Sequence, residues 1–289
     1  MEFARHPRLQ WLHRIPGGSD WLARLPELVE DCCRRWDLTA GEPFAYAFAS
    51  LALPVVRRDG TSAVLKVQWP DRESEHEADA LIAWQGYGAV QLFGYDAERR
   101  ALLLERCRPG TALAKEPPDA ALEVLIRMLP RLWIPAPRGI SSLSDEVAGW
   151  MTSLPASWEA AGRPIERRLV DAALEIMSEF APTQGPQVLV HQDLHAENVL
   201  RAEREPWLAI DPKPLVGERE FAVACIVRGA ELGHSREAAM MRLHRLCEAL
   251  GLDRERARGW TIAQTLAWTD LGGDRVSARH LEVVRWLLE

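Results

Sequence analysis

The hydrophobic spacing of this chain changes once, near residue 107, and that change limits the folds open to it. Before it, apolar residues come in short strand-like runs: two or three strands within FAYAFASLALPVVRRDGTSAVLKVQW, then AVQLFGYD and RRALLLERC. Such runs suit strands with a buried face, and Asp59-Gly60 offers the positive-φ chemistry of a hairpin turn. Ahead of them Ser19 is a candidate cap for a helix through DWLARLPELVEDCCRRW, where Trp21, Leu25, Leu28 and Cys32 recur at helical spacing. A second, charged helix is expected from about Asp71 to Gln85. Beyond residue 107 helical spacing dominates, around 118–131, 141–160, 165–181, 220–233, 235–250, 253–270 and 277–288. Short strands interrupt it at QVLV, NVL and WLAI, so the polar segments between them are loops leaving a small sheet. The expectation is an α+β protein of two lobes: a small N-terminal sheet lobe, residues 1–106, and a larger, mainly helical lobe, residues 107–289.

Composition narrows function more than fold. A formal charge of −7 argues against non-specific attraction to nucleic acid and mildly favours a cationic partner. No apolar run approaches the ~18 residues of a membrane span, and the opening residues lack the apolar core of a signal peptide, so a cytoplasmic protein is expected. Five cysteines, odd in number and without a CxxC pair, read as reduced, packed thiols. The tryptophans, including Trp21, Trp36, Trp84, Trp133 and Trp268, fall mostly on apolar helical positions and read as core residues.

The chemistry sits in HQDLHAENVL, which fits the H-R-D-L-x-x-x-N pattern of kinase catalytic loops with Gln192 in place of arginine. In that pattern Asp193 orients and deprotonates an attacking hydroxyl, and Asn198, five residues on, turns back to a magnesium ion. Asp211 in AIDPK follows Asp193 by eighteen residues and places a second carboxylate at a neighbouring strand end, as a metal-binding aspartate requires. Lys66 ends the strand AVLK and resembles the lysine that contacts α- and β-phosphates. Glu77, on the following helix, is its favoured ion-pair partner, with Glu73 and Glu75 as competitors.

Together with WLARLPELVEDCCRRWDL, HEADALIAWQGYGAVQLFGYD, ALLLERCRPGTAL, AIDPKPLVGEREFAVA and RARGWTIAQTLAW, these motifs make the chain resemble the aminoglycoside and hydroxyurea phosphotransferases over nearly its whole length. The resemblance implies a bilobal, protein-kinase-like fold with ATP and Mg2+ in the cleft, adenine on the linker at Glu105, Arg106 and Cys107, and a small hydroxylated acceptor approaching from the helical lobe. Glu218 and Glu220, just after the metal loop, and Asp270 and Asp274, in the C-terminal helices, are the acidic candidates for a cationic acceptor.

Departures from the pattern are visible. The segment FAYAFASLALPV has no glycine to bring backbone close to phosphates and offers Ser50 as its small polar residue. Phe221-Ala222 stands where the family continues with an aspartate that would brace the catalytic loop, and Gly229 replaces an asparagine. A protein kinase is disfavoured, because Pro212-Lys213 follows Asp211 and no room remains for an activation loop. Two other readings stay open: a non-catalytic nucleotide-binding module, and a metal-dependent hydrolase using His191, Asp193 and His195.

Overall fold

The computed structural model describes residues 6–45, 49–271 and 278–289. Its N-terminal part is an antiparallel five-stranded sheet, in the order β1-β2-β3-β5-β4, formed by β1 (Leu38–Ala40), β2 (Ser50–Arg57), β3 (Ser62–Gln68), β4 (Leu92–Asp96) and β5 (Ala101–Glu105). The β2–β3 hairpin closes through Gly60 at φ +83°, with Asp59 Oδ1 accepting the Thr61 N–H at 2.9 Å. Period-two alternation separates the two faces of the sheet. Leu51, Leu53, Val55, Ala63, Leu65, Val67, Ala101 and Leu103 pack against Leu22, Leu25, Val29 and Cys32 of α1 (Gly18–Trp36). Val64, Lys66, Gln68, Leu102 and Leu104 therefore belong to the opposite face, towards the rest of the molecule.

Two helix starts differ from the sequence expectation. Gly17, at φ +79°, is the cap of α1, and Ser19 lies inside the helix with its Oγ 2.9 Å from His13 Nδ1. The second helix, α2 (Glu77–Trp84), begins six residues later than Asp71. Asp71 Oδ1 accepts from both the N–H and the hydroxyl of Ser74, a local turn that competes with helical pairing.

The C-terminal part holds α3 (Pro118–Leu132), α4 (Leu143–Ala160), α5 (Arg167–Phe180), α6 (Ala224–Arg228), α7 (Arg236–Leu250), α8 (Arg254–Ala267) and α9 (Ala278–Leu288). Ser142 and Asp145 form a reciprocal capping box at the start of α4. The expected small sheet is instead two separate antiparallel ribbons, β6 (Gln187–Val190) with β9 (Leu215–Glu218) and β7 (Val199–Arg201) with β8 (Trp207–Ala209). Nor is 220–233 one helix: 3-10 turns at Phe221–Val223 and Ala230–Leu232 flank the short α6, which stops where Gly229 turns extended at ψ 107°.

At the centre of this part Trp260 is fully buried between Phe180 and Phe221, with ring centroids 5.7 and 5.6 Å away. Truncating such a residue to alanine typically costs about 3–5 kcal/mol. The apolar cluster around it runs through α3–α9 and crosses residue 106 to include Ala78, Leu81, Trp84, Leu102 and Leu104. The cleft is thus framed by elements that share one core, which keeps its two walls in register.

Candidate active site

Because Lys66 lies on the sheet face opposite α1, its side chain reaches α2 and the loop after β8. Its Nζ is 2.5 Å from Glu77 Oε2 and 2.5 Å from Asp211 Oδ1. Glu77 is 1% exposed and also accepts from Gln68 Nε2 at 2.6 Å, so of the three glutamates it is the one that meets the lysine. Glu73 instead binds Lys213 Nζ at 2.7 Å, and Glu75 is exposed. Burial pushes the Glu77 carboxyl up to about 7 against the pull of Lys66. Burial also opposes the charge on Lys66, but Asp211 and Glu77 outweigh it and hold the ammonium above its ordinary value. For Asp211 the surrounding protein raises the carboxyl and Lys66 more than reverses this, leaving it below the usual carboxylate range. Its carboxylate is half-exposed to the cleft.

The loop between β6 and β7 carries the second group. His191 is buried, stacked against Trp84 with centroids 6.1 Å apart, and its Nε2 lies 3.0 Å from the Ile210 carbonyl. Burial pushes its pKa down to about 4, so the ring is neutral at physiological pH. Gln192 then takes φ +63°, and the Asp193 N–H donates back to the His191 carbonyl at 2.8 Å. Asn198 Nδ2 donates to the Asp193 carbonyl at 3.0 Å and lies 3.4 Å from Asp193 Oδ2. His195 Nε2 is 3.7 Å from Asp193 Oδ1, and Lys213 Nζ is 3.9 Å from Asp193 Oδ2. Asp211, like Gln192, has a left-handed backbone, φ +56°, an uncommon state for a side chain other than glycine that marks both turns as constrained.

One cleft of about 250 Å³ is lined by Ser50, Lys66, Gln68, Asp71, Ser74, Asp193, His195, Asn198, Asp211 and Lys213. It joins a carboxylate facing open space to a separate ammonium–carboxylate pair. The hydrolase constellation does not assemble: His191 Nε2 is engaged by Ile210, and among the described residues no three His, Cys, Asp or Glu side chains form a metal-holding group.

Other expected residues lie elsewhere or are already engaged. The Glu105 carboxylate accepts from Arg204 and from the Gln91 N–H, its own N–H donates to the Gln91 carbonyl, and Arg106 Nη1 donates to Ser62 Oγ at 3.1 Å. Burial, then Glu105, push the Cys107 thiol up to about 12, so it stays protonated. Glu218 is 1% exposed and held by Arg256 Nη2 at 2.7 Å and by the Trp260 indole, so its charge serves the core and is not presented to the cleft. Glu220 accepts from the Asp253 N–H at 3.3 Å. Asp270 borders a different pocket of about 310 Å³ with Ser157, Thr269 and Leu271, while Asp274 lies outside the described residues.

This arrangement has relatives. The profile of the aminoglycoside/hydroxyurea antibiotic resistance kinases matches residues 35–274. The chain belongs to that family. It is 42% identical to a streptomycin 6-kinase of Streptomyces glaucescens over 86% of this chain and 83% of that protein. It is 40% identical to a hydroxyurea phosphotransferase of Kitasatospora aureofaciens over 86% and 73%. Among solved structures the choline kinase LicA of Streptococcus pneumoniae superposes with a TM-score of 0.64 at 13% identity, covering 92% of this chain and 99% of that one. The aminoglycoside phosphotransferase APH(4)-Ia superposes with a TM-score of 0.60 at 15% identity, covering 91% and 95%. At those identities the structures speak for the fold, which is the bilobal kinase-like one.

For a member of this kinase family the donors fit magnesium. Asp211 and Asn198 offer oxygen atoms in one cleft, and a hard cation of this kind takes its remaining ligands from phosphate oxygens and water. Several residues of the site escaped sequence reasoning. Lys213 stands two positions after Asp211 and reaches Glu73 and Asp193 from the turn that Asp211 makes at φ +56°. Cys225 Sγ and Gln264 Nε2 reach the Gln192 carbonyl at 3.0 and 3.2 Å, and no local pattern could pair a residue of α6 with one of α8.

Proposed function

We propose that this chain transfers the γ-phosphoryl group of ATP to a hydroxyl of a small molecule, either an aminoglycoside of the streptomycin type or a smaller acceptor such as hydroxyurea. The observation that carries this reading is the cleft itself, in which Asp193 faces open space while Lys66, braced by buried Glu77, reaches Asp211. Relatives named for phosphorylating streptomycin and hydroxyurea, aligned over most of the chain, support the choice of acceptor.

In this reading Asp193 accepts the proton of the attacking hydroxyl and orients its oxygen, with no covalent enzyme intermediate. Asn198 and Asp211 hold magnesium, which supplies charge neutralisation on the phosphates. Lys66 adds a fixed positive charge beside the same oxygens, and Glu77 keeps it pointed into the cleft. Ser50, at the start of β2, lines the cleft, and the linker at Glu105, Arg106 and Cys107, outside that lining, is the proposed adenine side, with the Glu105 N–H already given to Gln91. Residues 1–106 form the nucleotide lobe and 107–289 the catalytic lobe. Of the acidic candidates for a cationic acceptor, Glu218 and Glu220 are engaged and Asp270 lines a pocket apart from the cleft, so the acceptor's charge is left to the assay below. The setting is the cytoplasm, where ATP is supplied, and among the described residues no helix is long and apolar enough to cross a membrane.

The test is a panel of streptomycin, other aminoglycosides, hydroxyurea and simple amino alcohols, assayed for ADP release with Mg-ATP and followed by mass analysis of the products. A phosphorylated acceptor is the expected result. Slow ATP turnover indifferent to every acceptor, and unchanged by Asp193→Asn, would favour the non-catalytic nucleotide-binding module.

A further inference from the structure

The peptide joining Gln192 to Asp193 is held at both ends. Its N–H, that of Asp193, donates to the His191 carbonyl at 2.8 Å, which with φ +63° at Gln192 makes a tight γ-turn of the rare, strained kind. Its carbonyl, that of Gln192, accepts two bonds, from Cys225 Sγ at 3.0 Å and from Gln264 Nε2 at 3.2 Å. Both donors are oriented by one guanidinium. Arg228 Nη1 donates to Gln264 Oε1 at 2.7 Å, which turns the amide so that its NH2 faces Gln192, and Arg228 Nη2 donates to Cys225 Sγ at 3.0 Å, leaving the S–H to the Gln192 carbonyl, which is nearer than Gln264 Oε1 at 3.5 Å or Asp193 Oδ1 at 3.7 Å. All three side chains are buried, at 2% for Cys225, 0% for Gln264 and 8% for Arg228, and the Arg228 guanidinium also lies 5.0 Å from the Trp268 ring.

We infer that Cys225 and Gln264, aligned by Arg228, are positioning residues that lock the strained turn before Asp193 and so aim its carboxylate into the cleft. This rests on the proposed role of Asp193. The turn presents a carbonyl, which needs donors, and a thiol and a side-chain amide supply them. Burial pushes the Cys225 thiol up to about 12, which keeps the proton that the bond requires.

Two donors on one oxygen give a distinctive signature. Cys225→Ala and Gln264→Ala are each expected to lower kcat by about fivefold, and the double variant by more than the product of the two, because either donor alone still holds the carbonyl. KM for Mg-ATP stays within about twofold, since the phosphate-side groups are untouched. Cys225→Ser, whose hydroxyl can donate to the same oxygen, recovers most of the alanine loss. Hydrogen exchange across residues 191–198 accelerates in the double variant whether or not any acceptor is turned over. If Cys225→Ala does not fold, Cys225→Ser and Gln264→Ala carry the kinetic comparison. A serine variant as slow as the alanine one would overturn the inference, as would a double variant with wild-type kcat and wild-type exchange. An inactive wild-type chain would instead sink the phosphotransfer reading and leave exchange to decide the brace.

Discussion

Lys66→Met leaves Glu77 buried with Gln68 Nε2 as its remaining partner, since Glu77 Oε1 has none. The consequence depends on pH. With Lys66 present, burial already lifts the Glu77 carboxyl from 4.5 to about 7. A carboxyl raised on folding binds more protons in the folded than in the unfolded state between those two values, so its contribution to stability falls as pH rises through that window and is level above it. Without the lysine the carboxyl moves higher still, and the fall continues. Around pH 6 Glu77 is mostly protonated in both proteins, and the gap there, set by the lost Lys66–Asp211 contact, is the baseline for the change at higher pH. Between pH 7 and 9 the variant loses up to about 1.4 kcal/mol more per pH unit, at most roughly 2.7 kcal/mol over the interval. That approaches the about 3–5 kcal/mol for removing one member of a buried ion pair. At a urea m-value of about 3 kcal/mol/M it separates the midpoints by at most about 1 M. Urea unfolding of both proteins at pH 6, 7, 8 and 9 makes the measurement, with Lys66→Met/Glu77→Gln as the variant in which the pH dependence disappears. A gap constant from pH 6 to 9, or one that survives Glu77→Gln, would refute the reasoning.

Asp193→Asn keeps the size of the side chain but cannot take a proton, so turnover should fall about 10²–10⁴-fold while calorimetry still finds Mg-ATP binding. Asp211→Asn should lose turnover together with the magnesium dependence of nucleotide binding, and the reverse assignment of these two outcomes would overturn the division of roles. Lys213→Ala removes a cation 3.9 Å from Asp193 and should lower kcat about 10²-fold, whereas Glu73→Gln, which only frees that lysine, should cost much less; equal losses would mean the ion pair matters and the cation does not. Ala222→Asp places a carboxylate at a 5% exposed position in the apolar core, so it should destabilise by about 1–3 kcal/mol by thermal or urea unfolding and give no gain in turnover; an unchanged stability with faster turnover would show that donors near position 222 were waiting for it.

The N-terminal strands and the grouping of Lys66, Asp193, Asn198 and Asp211 around one cleft were legible because each depends on neighbours in sequence. Alternation is a property of consecutive residues, and the spacing from Asp193 to Asn198 is set by one loop. Helix boundaries were less so: Asp71 diverted the start of α2 through a side-chain turn, and Gly229 ended α6 early. What tertiary structure alone decided are choices between chemically equivalent residues. Glu73, Glu75 and Glu77 carry the same group on the same short segment, and only the sheet face on which Lys66 emerges selects Glu77 and leaves Glu73 to Lys213. Glu218 likewise looks available in sequence, yet Arg256 and Trp260 of α8 claim it, because burying its charge requires partners brought from 38 and 42 residues away. The brace on Gln192 is the furthest from local pattern. A carbonyl in a strained turn demands donors, but that Cys225 and Gln264 supply them depends on how α6 and α8 pack beneath the loop, a long-range contact that no spacing along the chain encodes.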